Sequence, residues 1–390
     1  MSLVDDSDAA RLVARAQDSL NGRDAHTALA LLAEAEALGP SVDIHLARAL
    51  SFRVLGDLNK SLASLESALA LEPKNFLALL SKGATLERMG APKVAAVAYK
   101  QAVAVAPPQG EIPPSLAAPM ARAREAVAAH AEALAEHLRA SVSELRGQFG
   151  GDALDRFDEG LEIFAGRARA YVQEPLLLNY PRLPAIPFLE RRHFPWLAEL
   201  EAATPMIQGE LEVAMQVKAE DFAPYIAFPP GVPVNQWREL NHSRRWSSLF
   251  LWRDGARQDA VCELCPGTAA LLENLPMAGQ PGFAPTAMFS ALEAHTRIPA
   301  HVGSTNTRLI VHLPLILPGP ARFRVGNVVR QWRLGEAWVF DDTIEHEAWN
   351  DADQVRVILI FDVWNPHLTE AERALISAMM TAKNKFQALP

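Results

Sequence analysis

Three prolines, Pro40, Pro73 and Pro107, stand 33 and 34 residues apart, and the residues between them fall into register. Small residues recur at Ala16, Ala49 and Gly83, and again at Ala28, Ser61 and Ala95. Leu32, Leu65 and Tyr99 follow, then Ala35, Ala68 and Ala102, with Gly56 and Gly90 between the halves. A period of this length with small residues at fixed places requires repeated helical hairpins, because only small side chains let two helices approach closely. One hairpin cannot bury its own apolar face, so such units stack and present a concave surface suited to peptide or protein.

The three repeated units resemble tetratricopeptide repeats. After Pro107-Pro108 and Pro113-Pro114, apolar residues at Leu134, Leu138, Val142 and Leu145 keep helical spacing. One or two long helices are expected to about residue 148, and another over 153–171. The domains are read as 1–150 for the repeats, 151–174 for a connecting helix and 175–390 for a second domain. In that second part, dense prolines over 178–188 indicate extended chain, and a helix is expected over 194–217. Beyond Ser243, short apolar stretches alternate with Gly, Pro and Asp/Asn turns. Val325-Gly-Asn-Val328 and Arg333-Leu-Gly-Glu336 read as hairpin turns. Many short strands with a mixed-polarity interior point to a barrel or sandwich, making the chain α+β and multidomain.

The net charge of -9 and the lack of a basic tract argue against a nucleic-acid surface. The acidic start, Met1 to Asp6, lacks a basic-then-apolar leader, and no apolar run is long enough to span a bilayer. A cytoplasmic location is therefore expected. Cys262 and Cys265 form a lone CxxC without a second half, which reads as two reduced, structural thiols.

Three segments carry chemistry. In the run from Ile298 to Leu313, strand alternation puts Arg308, Ile310 and His312 on one face. A buried face with an arginine and a histidine needs an anionic partner. The segment Trp338 to Trp349 is an apolar strand, a polar turn and His346. In Gln354 to Trp364, Arg356 sits among large apolar residues and calls for a carboxylate or phosphate. His301 and His346 supply imidazoles of the kind that bind divalent first-row metals. Arg356 suits one end of a dicarboxylate, and Arg308 with His312 the other. Iron(II) with 2-oxoglutarate would satisfy this set.

Those segments, Pro299–Leu309, Phe340–Asn350 and Phe361–Pro366, with weaker stretches at Pro184–Trp196 and Trp246–Trp252, resemble the aspartyl/asparaginyl β-hydroxylase family. The resemblance runs from about residue 180 to 368. It implies a double-stranded β-helix (jelly-roll, cupin-like) oxygenase using iron(II), 2-oxoglutarate and O2. It further implies metal ligands His301 and His346, with Ser290 and Arg356 at the distal carboxylate and Arg308 and His312 near the keto-acid end. The favoured reaction is hydroxylation of the β-carbon of Asp or Asn in a peptide or protein, held between repeats and oxygenase. A lipid acyl chain or small molecule as substrate, or an adaptor with an inactive oxygenase, are the rival readings. Gly303 stands where the commonest iron sites place a carboxylate, a lack the family shares. Water is expected there rather than chloride, and Gly303→Asp is expected to keep some iron binding. Asp341 and Asp342 read as turn residues, Asn306, Glu345 and Glu347 as turn or supporting polar groups, and His242, His295 and His367 as solvated. Trp246 reads as core and Asn365 as peripheral.

Overall fold

The computed structural model describes residues 6–149 and 154–387, which form two compact units, Met1–Ala168 and Arg169–Pro390. In the first, helices α1 (Asp6–Asn21) and α2 (Ala25–Leu38), α3 (Val42–Val54) and α4 (Leu58–Leu71), and α5 (Phe76–Arg88) and α6 (Pro92–Val105) make three hairpins. Each start is specified locally. Asp24, Ser41, Asp57 and Asn75 accept the backbone N–H groups of Thr27, Ile44, Lys60 and Ala78, and Pro92 opens α6. Gly56 and Gly90 turn the second and third hairpins with φ of +79° and +78°, a conformation that glycine adopts without strain. The repeated small residues Ala16, Ala28 and Ala35 are buried in the first hairpin. Gly83 lies flat against the Tyr99 ring, which a side chain there would strike. These are tetratricopeptide-like repeats. A single helix, α7 (Pro114–Arg146), packs on α6 and is followed by α8 (Asp155–Ala165), shorter than the sequence suggested.

The second unit holds α9 (Leu197–Ala202), α10 (Thr204–Val217), β1 (Ala223–Pro224), β2 (Trp246–Arg253), β3 (Ala256–Arg257), α11 (Asp259–Cys262), α12 (Pro266–Glu273), β4 (Ala287–Leu292), β5 (Thr296–His301) and β6 (Arg308–Ile316). Then come β7 (Ala321–Val325), β8 (Val328–Gln331), β9 (Trp338–Phe340), β10 (His346–Asn350), β11 (Arg356–Trp364) and α13 (Glu370–Gln387). Among the described residues one sheet runs β1-β2-β4-β11-β6-β9, with β3 beside β2, and a smaller sheet runs β5-β10-β7-β8. All pairings between these strands are antiparallel. This is a cupin-like double-stranded β-helix. Val325 pairs with Val328, as a hairpin at Gly326-Asn327 requires. The expected second hairpin at 333–336 is corrected: it is a turn, closed by Glu336 N–H donating to the Arg333 carbonyl, but it links β8 to β9 in the other sheet.

The larger sheet is buried on both faces, which explains its long apolar strands. Leu309, Val311, Leu313 and Leu315 of β6, with Val357, Leu359, Phe361 and Val363 of β11, pack in one core with Leu200, Ile207 and Leu211 of the helices. The alternate residues of the same strands therefore face the smaller sheet. Cys262 and Cys265 are buried in the helix-side core; burial pushes the Cys265 thiol up to about 12, so it is inert as a nucleophile.

Candidate active site

Period-two alternation builds one cavity of about 330 Å³. Arg308, Ile310 and His312 enter it from β6, Arg356, Ile358 and Ile360 from β11, and Ser290 from β4. The smaller sheet contributes His301 from the end of β5 and His346 from the start of β10, which are register partners. Their ring centroids are 4.1 Å apart. Each imidazole is oriented by a backbone carbonyl two residues before it: His301 Nδ1–H donates to the Pro299 carbonyl at 2.7 Å and His346 Nδ1–H to the Ile344 carbonyl at 3.1 Å. That fixes the tautomer and leaves Nε2 of each with a lone pair for a metal. Burial lowers the pKa of His301, and burial together with His301 lowers that of His346 further, so both rings are neutral.

At the other end of β11, Arg356 is 1% exposed. Neither Nε nor Nη1 has a hydrogen-bond partner among the described residues. Burial pushes the guanidinium down to about 9, still above neutral pH, so it stands in the cavity as a cation. An unpaired buried charge is costly, on the order of several kcal/mol, and a site that keeps one is built to receive an anion. His312 belongs to this corner. Its ring lies 4.7 Å from Phe340 and 5.0 Å from Phe323, its Nδ1 is unpaired, and burial followed by the Arg356 charge lowers its pKa well below the usual range. Ser290 Oγ accepts a 3.1 Å bond from Trp246 Nε1.

Two expectations change here. Arg308 and His312 share a face but do not act as a pair. Four residues of strand separate them by roughly 13 Å, so Arg308 meets different neighbours. Arg308 is ion-paired with buried Asp362, and its guanidinium carbon lies 5.0 Å from the Phe283 ring centroid. Trp246 is buried yet lines the cavity, where it meets Tyr225 at 4.3 Å and Trp237 at 6.0 Å. Tyr225 and Trp237 carried no signal in the sequence because they lie outside regular alternating strands.

Gly303 also gains a physical reason. Its N–H donates to the Asp342 carbonyl at 2.6 Å, and a Cβ at this position would overlap the Asp342 carboxylate. Asp341 is a turn residue, accepting from Thr343 and Gln173. Asp342 is buried with an unpaired Oδ1, and burial pushes it up to about 7. Gly303→Asp therefore brings two carboxyl groups into one space. The expected outcome is a loss of stability of about 1–3 kcal/mol from overpacking and reduced, not retained, metal binding. Thermal unfolding and metal content check this, and a stable, fully metallated variant would contradict it. Asn306 is a structural pin: its side chain accepts from Tyr180 N–H and donates to Gln173, Asn179 and the Tyr180 carbonyl. Glu347 is tied to Arg297 and Arg324, and Glu345 to Arg324. His242, His295 and His367 lie outside the cavity.

The second unit is thus a double-stranded β-helix whose cavity holds a facing pair of neutral histidines. Residues 201–366, within the second unit, match the model of the family described as aspartyl/asparaginyl beta-hydroxylase. An ornithine lipid ester-linked acyl 2-hydroxylase from Rhizobium tropici is 36% identical over 197 residues, 50% of this chain and 66% of that protein. The human aspartyl/asparaginyl beta-hydroxylase is 30% identical over 191 residues, 47% of this chain and 24% of that protein. Aspartate beta-hydroxylase domain-containing protein 2 from Xenopus tropicalis is 29% identical over 260 residues, 64% of this chain and 67% of that protein. The chain thus spans just under two thirds of the first relative and about a quarter of the second. No described helix is long and apolar enough to cross a membrane.

Proposed function

We propose that the second unit is an iron(II)- and 2-oxoglutarate-dependent hydroxylase. The observation that carries this reading is Arg356, a buried cation with unpaired donors facing the same cavity as two neutral imidazoles. His301 and His346 would hold the metal through Nε2, and Arg356 with Ser290 would receive the distal carboxylate. Iron with 2-oxoglutarate and O2 supplies oxidative decarboxylation to succinate and CO2 and delivery of one oxygen atom to a C–H bond. The chain's own part is to orient the ligands, exclude water with apolar walls and hold the target carbon in line.

For the target, two of the named relatives differ: one is named for a lipid acyl chain, the other for aspartyl or asparaginyl residues. An aspartyl carboxylate needs a cation of its own. Arg308 is the candidate, and Asp362 already neutralises it. The walls beside it are Met288, Ile298, Ile310 and Ile360. These features support an uncharged, apolar target such as an acyl chain. Peptidyl Asn or Asp is the second reading, favoured by the repeats as a peptide-holding surface. Lipid extracts and protein digests from cells with and without the gene, grown under 18O2, separate them. The expected result is an acyl species heavier by one oxygen, and labelled Asp or Asn with unlabelled lipid would contradict it.

A further inference from the structure

Among the described residues Arg356 has no carboxylate partner, yet a receptor for a carboxylate must hold its planar fork in a fixed plane. The structure provides one group to do so. The Arg356 guanidinium carbon stands 4.4 Å from the centroid of the Trp332 ring. Trp332 is 4% exposed and does not line the cavity; it backs the arginine from behind. Its own position is set by its backbone N–H donating to the Ala321 carbonyl and by its ring neighbours. It stacks on Trp338 at 5.7 Å with 19° between planes, and meets Phe323 at 5.3 Å and 36°. The indole face attracts a cation most strongly where water is absent, as here. The His312 ring is 5.9 Å from Trp332, so the corner's two polar side chains share one aromatic support.

We infer that Trp332 is a positioning residue for the cosubstrate, its indole face holding Arg356 in the plane that receives the distal carboxylate. This rests on the 2-oxoglutarate reading above. The alternative role, filling core volume, predicts a different outcome when the ring is exchanged.

The test uses the full chain loaded with iron(II) under anaerobic conditions, titrated calorimetrically with 2-oxoglutarate, with succinate formation as a second readout. Trp332→Leu is expected to weaken 2-oxoglutarate binding and raise its KM on the order of 10- to 30-fold, the worth of a desolvated cation–aromatic contact. The kcat at saturating 2-oxoglutarate stays within about twofold, because the held carboxylate is remote from the metal. Trp332→Phe keeps an aromatic face and is expected within about threefold of the natural protein. Equal binding by Trp332→Leu, or a Phe variant as weak as the Leu variant, overturns the inference. So does a fall in kcat and melting temperature with KM unchanged, which is the signature of packing alone. If the natural chain binds no 2-oxoglutarate, the proposed function falls first and takes this inference with it.

Discussion

Replacing Arg356 with methionine should make the unliganded protein more stable while destroying its grip on 2-oxoglutarate. The two effects have one cause. Arg356 is a buried cation without an anionic partner, and exchanging buried charge for an apolar side chain of similar volume gains about 1–4 kcal/mol in known cases. In the loaded state the same exchange removes a two-pronged charge-assisted contact. A loss on the order of 2–5 kcal/mol corresponds to roughly 30- to 5000-fold in affinity. Thermal unfolding without ligand and calorimetric titration with 2-oxoglutarate read the two halves separately. A residue kept for stability would show the reverse, a lower melting temperature. Unchanged 2-oxoglutarate affinity would remove Arg356 from the site.

The second large effect is at the histidine pair. His346 is buried and neutral, its Nδ1–H is taken by the Ile344 carbonyl, and its ring centroid lies 4.1 Å from that of His301. His346→Ala leaves one protein nitrogen where two converge. Metal content after desalting and turnover should both fall by at least about 100-fold, beyond the roughly 10- to 100-fold cost of losing only an outer partner of a ligand. The same holds for His301→Ala. The fold should survive, because the hydrogen bonds each ring makes are to backbone carbonyls a few residues before it. Near-normal metal content in either variant would displace the pair as the metal site.

How much of this was legible in the sequence follows from the range over which each signal acts. The hairpins were legible because caps, small residues and turn glycines specify them within a few positions, as at Asp24, Gly56 and Asn75. Strands β6 and β11 were legible because alternation assigns faces without reference to other elements; it put Arg308, Ile310 and His312 together and set Arg356 among apolar residues. Alternation gives the face but not the neighbour across it. It could not show that Asp362 takes Arg308 while His312 stays with Arg356. Trp332 lies just beyond a strand, and its partner is 24 residues away in the other sheet, so no local pattern joins them. The overlap of Gly303 with Asp342 depends on two loops meeting. Helices α11 and α12 gave little signal because they span four and eight residues, too few for a helical period to stand out.

The most direct test of the account is stoichiometric. The purified full chain is supplied with iron(II), O2 and 2-oxoglutarate, and succinate and CO2 are followed together, with and without a chelator and with 2-oxoglutarate omitted. The account predicts succinate and CO2 in equal amounts, only when iron, O2 and 2-oxoglutarate are all present, and none from His301→Ala or His346→Ala. Turnover that survives the chelator, or product formed without consuming 2-oxoglutarate, would contradict it.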